Sequence, residues 1–243
     1  MDLKSSDLNQ HISSQFNEDL ESLRTHVLKM AGMVERNLRD SLVILESMES
    51  GLLPTIEQVE HQINAFEVAV DREVINIIAL RQPAASDLRV VMAISKIVRD
   101  LERMGDEAYK IGKLASDLAG DPPPAMALNL SVSLGRQVAE LVKRAVDSFV
   151  RLDAEQAREV GVADRSIDAD YESALRAMST FMIEDPRAIG RLVKLLWIFR
   201  ALERIGDHAT NVSEQLIYAV RGKDVRHADV TESQVNDIVE DRE

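Results

Sequence analysis

One octapeptide occurs twice in this chain, and the repeat limits what the chain can fold into more than any other feature. The copies are Leu101-Glu102-Arg103-Met104-Gly105-Asp106-Glu107-Ala108 and Leu202-Glu203-Arg204-Ile205-Gly206-Asp207-His208-Ala209, offset by 101 residues. Six of the eight positions are identical and a seventh pairs Met with Ile, so chance is a poor explanation. Each copy holds a Glu and an Asp four apart. On a helix that spacing puts both carboxylates on one face, one turn apart.

The apolar pattern around the copies repeats as well. Phe16, Leu20, Leu23, Val27, Met30, Val34, Leu38, Leu42 and Leu45 step by three or four, the spacing of a helix with one buried stripe. Gly51 and Pro54 bracket a turn. A second helix carries Val59, Ile63, Phe66, Val70, Val74 and Ile77 inward and ends near Arg81-Gln82-Pro83, because proline disfavours helix at the residue before it. A third begins at Ser86 or Asp87 with Val91, Ile94, Val98, Leu101, Gly105 and Ala108 inward. It fades at Gly120-Asp121-Pro122-Pro123-Pro124, the strongest breaker in the chain.

Beyond that breaker the pattern starts again. Leu134, Val138, Leu141, Ala145, Phe149 and Leu152 match Val27, Ala31, Val34, Leu38, Leu42 and Leu45 at an offset of 107, and the last two helices match the second and third at 101. The difference of six falls in the first loop, where a deletion costs little, so one duplication explains both offsets. Asp185-Pro186 opens the last helix as a cap followed by proline in the first turn. Its inward residues are Leu192, Leu195, Phe199, Leu202, Ile205, Ala209 and Val212, and it runs to about Val220. The expected fold is therefore all-α: six long helices in two tandem three-helix bundles, residues 16–120 and 125–227, packed side by side through their third helices. Residues 1–15 read as a flexible lead-in and residues 228–243 as an acidic disordered tail.

Composition narrows the function classes. A net charge of −13 argues against a duplex-binding surface, so no nucleic-acid partner is expected. The absence of cysteine excludes disulfides and thiolate metal sites. No apolar run approaches the roughly 20 residues of a membrane span, and the polar start lacks the apolar core of a secretion signal. The expectation is a cytoplasmic protein that meets a membrane only through its partners.

Acidic stripes run beside the core stripes. On the third helices they contain Glu102 and Asp106, then Glu203 and Asp207, preceded by Arg99 and Arg200. On the second helices they contain Glu60, Asn64, Glu67 and Asp71 in one unit and Asp164, Asp168 and Glu172 in the other. Like charges at this spacing cost a few tenths of a kcal/mol per pair, a penalty that a bound cation removes. Oxygen ligands from two adjacent helices suit Mg²⁺, Mn²⁺, Ca²⁺ or iron. The other reading is a solvated acidic face, partly neutralised by Arg99, Arg103, Arg200 and Arg204, and spacing alone leaves both open. None of the five histidines follows a Glu by three, as a di-iron oxidase bundle requires. No phosphate loop or nucleophile elbow is present, and no Cys–His pair is available, so catalysis has no visible apparatus. A carboxylate-cluster metal-dependent enzyme and a metal-free helical scaffold remain the alternatives to a regulator. His208 reads as a surface histidine in preference to a ligand. The only tryptophan, Trp197, lies off the core stripe, suited to a contact between units or copies. Gly105 and Gly206 cost about 1 kcal/mol each mid-helix, which points to close helix approach.

Taken together, Pro83-x-x-x-Asp87-Leu88-Arg89, Asp100 to Asp106, Asp164-x-x-Ile167-Asp168, Leu202 to Ala209 with Asn211, and Gly222 to His227 resemble the PhoU family of bacterial phosphate-signalling proteins. The likeness runs from about Phe16 to His227. It implies a non-enzymatic negative regulator of the phosphate-starvation response and of phosphate uptake. Its implied partners are a phosphate sensor histidine kinase, the ATPase subunit of a phosphate ABC transporter, and a second copy in a homodimer. It also implies metal clusters held by paired carboxylates, here Glu67 with Asp71, Glu102 with Asp106, Asp164 with Asp168 and Glu203 with Asp207, while the four-residue spacing by itself pairs Asp168 with Glu172 and adds Glu172 as a candidate ligand. The metal stays open among Mg, Mn, Fe and Zn. Asp87, Arg89, Arg99 and Arg200 are the candidate partner-binding residues. The copies differ where Lys110 matches Asn211 and Asn64 matches Arg165, so the two metal sites are expected to differ.

Overall fold

The computed structural model describes residues 5–222 and Val225, with side chains from Gln15 onward. The described residues form six α-helices and no strand: α1 Ser5–Ser47, α2 Leu53–Arg81, α3 Ser86–Leu118, α4 Ala125–Arg151, α5 Ala154–Glu184 and α6 Ile189–Arg221. The tail 228–243 lies outside the described residues, as do Lys223, Asp224, Arg226 and His227 of the basic stretch. None of the described helices is long and apolar enough to cross a membrane.

Two boundaries differ from the sequence reading. Helix α1 begins at Ser5 and not near Phe16. No glycine or proline interrupts Ser5–Gln15, and Leu8 and Ile12 continue the four-residue spacing, so the helix extends backward past Phe16. Asp185 caps a 3₁₀ turn, Pro186–Ala188, which hands over to α6 at Ile189; its carboxylate accepts from Arg187 N at 3.0 Å. The other ends have ordinary causes. Asp153 caps α5 by accepting from the backbone N–H of Glu155 and Gln156. Gln82 and Leu152 close α2 and α4 in the left-handed region. That conformation lifts Leu152 out of the core stripe assigned to it from periodicity, and it is 48% exposed.

Each unit is an up-down-up bundle. Arg81 meets Asp19 at 2.8 Å and His26 meets Glu73 at 3.0 Å, which sets α1 and α2 antiparallel. The Ser41 hydroxyl donates to the Ala108 carbonyl at 2.7 Å and joins α1 to α3 in parallel. The two units share one core and not two. Helices α3 and α6 make the most extensive helix pair in the molecule, α1 packs on α4, and a single buried cluster runs from Leu23 to Ile217. The layout is two layers. Helices α2, α3, α6 and α5 lie side by side in one, with α2 and α5 at its edges, and α1 and α4 back it.

Close approach is achieved with glycine. A Cβ on Gly112 would lie 2.9 Å from Ser41 Oγ and 3.1 Å from an Ile56 methyl. Ser41 is fully buried and already bonded, so it has nowhere to turn. Gly112→Ala is expected to lower the melting temperature by about 2–6 °C, because crowding of about 2–3 kcal/mol outweighs the helix-propensity gain of about 1 kcal/mol. Gly32→Ala, where nothing lies within 4 Å, is expected to raise it slightly. Thermal denaturation by circular dichroism checks both.

Candidate metal-binding grooves and the seam between them

The acidic stripes come together as two grooves, one between α2 and α3 and one between α5 and α6. In the first groove, burial and then the charges of Asp106 and Glu67 raise the pKa of Glu102. Burial and then Asp71 raise Glu67, while burial and then Glu60 raise Asp106. Asp71 accepts a long bond from Ser95 across the groove, at 3.5 Å. Glu60, which the sequence reading placed on the stripe but not among the ligands, belongs to this cluster and accepts from Asn64 Nδ2 at 2.6 Å.

The second groove holds Asp164, Asp168, Glu203 and Asp207. Burial and then Asp207 raise Glu203, and burial and then Asp168 raise Asp207. Asp164 is the extreme case at 9% exposure. Burial pushes its carboxyl up to about 6, opposed by a hydrogen bond from Thr210 Oγ1 at 2.9 Å and reinforced by Asp168 and Asp207. Glu172 is not brought in. It stands one turn beyond Asp168, 70% exposed, and pairs with Arg176 at 3.7 Å.

The grooves are therefore offset copies. A Cβ on Gly105 would meet Ile63 at 3.0 Å, and one on Gly206 would meet Asp164 Oδ1 at 2.8 Å. Ile63 and Asp164 occupy the same repeat position. The second unit replaces a core methyl with a carboxylate there, so its cluster sits one turn away from the Glu67–Asp71 position of the first. Both glycines serve close approach within their own unit.

The donor chemistry fits a hard cation. Glu102 Oε2 and Glu203 Oε2 are buried without a hydrogen-bond partner at equivalent repeat positions, and Asn64 Oδ1 is a third such oxygen in the first groove. Arg103 Nε lies 3.4 Å from Glu102 Oε2, and Arg200 Nη1 holds the other oxygen of Glu203 at 2.6 Å. Among the described residues no three Asp, Glu or His side chains converge closely enough to ligate one ion as they stand. Ligation requires these side chains to rotate inward, which costs order of about 1 kcal/mol per side chain.

Between the grooves runs the α3–α6 seam. The helices are antiparallel along their length: Arg89 Nε donates to Ala219 O at 3.3 Å, Glu107 pairs with Arg204 at 2.6 Å, and Lys110 Nζ lies 5.8 Å from the centre of the Trp197 ring. His208 sits in this seam, 18% exposed, with Nδ1 2.9 Å from Asp100, which also accepts from Asn211 at 3.3 Å. The surface reading of His208 was thus incorrect. Its ring is taken up by the inter-unit contact. Arg89, assigned to partners from the resemblance, donates to the Ala219 carbonyl in the last turn of α6. Asp87 is exposed in the first turn of α3, and Arg99 is exposed beside the first groove. Sequence reasoning missed Asp100, Glu107 and Thr210 as contacts because the other copy has Ala201, His208 and Tyr109 there.

Comparison with known proteins agrees with this geometry. The PhoU domain model matches residues 27–115 and 132–216. The phosphate-specific transport system accessory protein PhoU homolog of Pseudomonas aeruginosa is 46% identical over 224 residues, covering 92% of this chain and 93% of that protein. The Escherichia coli PhoU accessory protein is 40% identical over 225 residues, covering 93% of each. The crystal structure of PhoU from Pseudomonas aeruginosa superposes with a TM-score of 0.83 at 44% identity, covering 86% of this chain and 100% of that one. The PhoU structure from Streptococcus pneumoniae gives 0.79 at 26% identity, covering 86% and 99%. A duplicated three-helix chain with these matches in both halves belongs to the PhoU family.

The raised carboxyls fix a pH response. A group whose folded pKa lies above its unfolded value binds more protons folded than unfolded between the two. Its stabilisation is full below the unfolded value and is lost as pH rises through the folded one. For Asp164 that window runs from 3.8 to about 6. In chelator at pH 7.5, Asp164→Asn is expected to melt several degrees above the parent, a gain of about 1–2 kcal/mol. The difference should vanish near pH 4. A melting series across pH 4–8 checks it, and equal melting at pH 7.5 contradicts the assignment.

Proposed function

We propose that this chain is a non-enzymatic negative regulator of phosphate uptake and of the phosphate-starvation response, acting by binding other proteins, and that its two acidic grooves hold divalent metal. The role is supported by the relatives called phosphate-specific transport system accessory proteins, which match almost end to end. The partners of this reading are the ATPase subunit of a phosphate ABC transporter, a phosphate sensor histidine kinase, and a second copy of the chain.

The metal part rests on Glu102 Oε2 and Glu203 Oε2, both buried without a hydrogen bond, the first with only the Arg103 guanidinium in ion-pair range at 3.4 Å. A buried carboxylate oxygen without a donor is costly, and the repetition at 101 residues makes it a property of the fold rather than of one rotamer. Glu67, Asp71, Glu102 and Asp106 would hold metal in the first groove, and Asp164, Asp168, Glu203 and Asp207 in the second. An all-oxygen set favours Mg²⁺, Mn²⁺ or iron over Zn²⁺. When bound, the cation supplies charge neutralisation, and α2 is then tied to α3 and α5 to α6.

Saturating Mn²⁺ at about 100 times its Kd is expected to stabilise the chelated protein by about 3 kcal/mol per groove, roughly 10–20 °C for the two together. The double variant Glu102→Ala, Asp106→Ala should lose part of that gain with helicity intact, and adding Glu203→Ala and Asp207→Ala should abolish it. An unchanged melting temperature for the parent in Mn²⁺ sinks the metal site. For the role, purified transporter ATPase and kinase should be retained by the immobilised chain. Failure of both to bind sinks the regulator reading.

A further inference from the structure

The first half of α6 carries a surface that the grooves do not use. From Pro186 to Leu202 the sequence has four basic residues, Arg187, Arg191, Lys194 and Arg200, and no acidic one, in a chain of net charge −13. On the same run Ile189, Val193 and Trp197 are 42%, 39% and 54% exposed. They recur every four residues, so they form one stripe about 12 Å long. Lys110 reaches over the Trp197 ring from α3. Arg191 and Lys194 are drawn to Asp121 and Asp117 along one edge, at 3.1 and 4.0 Å, and Arg200 leans on Glu203 at the far end.

One exposed aliphatic residue is ordinary. Three on consecutive turns of one helix, ending in the only tryptophan and edged by cations, have the composition of an interface centre, where Trp and Arg are enriched. The equivalent positions in the first unit are Leu88, Met92 and Lys96. There the aromatic is replaced by a cation lying 5.9 Å from the Tyr218 ring centre, so the tryptophan-bearing stripe exists in the second unit alone.

We propose that the Ile189–Val193–Trp197 stripe is the docking surface for an amphipathic helix of a partner protein, with Asp and Glu edging that helix's apolar side. A stripe with four-residue spacing, winding about 40° around α6 per step, suits the anchors of a helix that crosses α6 at an angle. Among the described residues Arg187 has no ion pair, and Arg191 and Lys194 hold only the exposed carboxylates of Asp121 and Asp117, which acidic flanks of a partner can replace, so this edge selects acidic flanks over basic ones. The proposal rests on reading the chain as a protein-binding regulator and adds the face and the chemistry of the partner.

Because Trp197 is the only tryptophan, its emission reads this surface directly. The full chain is titrated with a synthetic amphipathic peptide carrying Leu at helical spacing flanked by Glu, with its twin carrying Lys, and with phosphatidylglycerol–phosphatidylcholine vesicles. The Glu peptide is expected to shift Trp197 emission to the blue with a saturable midpoint that rises with salt. Val193→Glu should weaken it about tenfold or more with an unchanged circular dichroism spectrum. Equal binding of the two peptides, or a shift with vesicles alone, overturns the proposal. So does emission that follows protein concentration, which makes the occupant a second copy, or a red shift on removing residues 228–243, which makes it the chain's own acidic end. In the pull-down with purified ATPase and kinase, loss of capture by Val193→Glu supports the surface. Equal capture by parent and variant places docking elsewhere and leaves the regulator reading standing. No capture by the parent removes that reading and the proposal with it.

Discussion

The antiparallel packing of α3 on α6 holds the rest of the structure in place. It joins two bundles that would otherwise be separate units into one core, and it fixes the distance between the two carboxylate grooves. Its apolar part draws on the buried faces of the octapeptides, where Leu101, Met104, Leu202 and Ile205 are at most 1% exposed. Its polar part is a hydrogen bond between His208 and Asp100 and an ion pair between Glu107 and Arg204. Partly buried pairs of this kind contribute little net stability, but losing one partner leaves a desolvated charge, so they oppose any sliding of one helix along the other. The seam is thus chosen by apolar burial and kept in register by charge.

The grooves work against that stability. Their carboxylates are taken partly out of water beside charges of the same sign, and each of Glu67, Glu102, Asp106, Asp164, Glu203 and Asp207 is pushed toward its neutral form as a result. Arginines at 103, 200 and 204 offset part of this without entering the grooves fully. Like-charge repulsion in this fold therefore sits where the helix pairs α2–α3 and α5–α6 meet.

The sequence displayed the fold well because periodicity and repetition report burial directly. The inward positions from Leu23 to Leu45 and from Leu192 to Val212 are buried, and α2 and α3 end and start where Pro83 and Ser86 indicated. The failures share a cause. Comparing the two copies highlights what they have in common, namely the groove carboxylates. The contacts between units use positions where the copies differ: Asp100 against Ala201, Glu107 against His208, Lys110 against Asn211. An interface between two halves of one chain need not be symmetric, so its residues look like noise in a repeat. Glu172 failed for the opposite reason. It lies on the right helical face by spacing, but Asp164 at the position of Ile63 had already moved the cluster by one turn.

The replacement of Ile63 by Asp164 has a consequence for stoichiometry. Around the near two-fold axis of the α3–α6 pair, a single chain offers two faces that are similar in shape but unlike in charge placement and in their aromatic content. A partner that is itself a symmetric dimer cannot be met equally on both sides. One chain across its axis would give its two subunits different surroundings, so that identical subunits enter the complex as unequal ones.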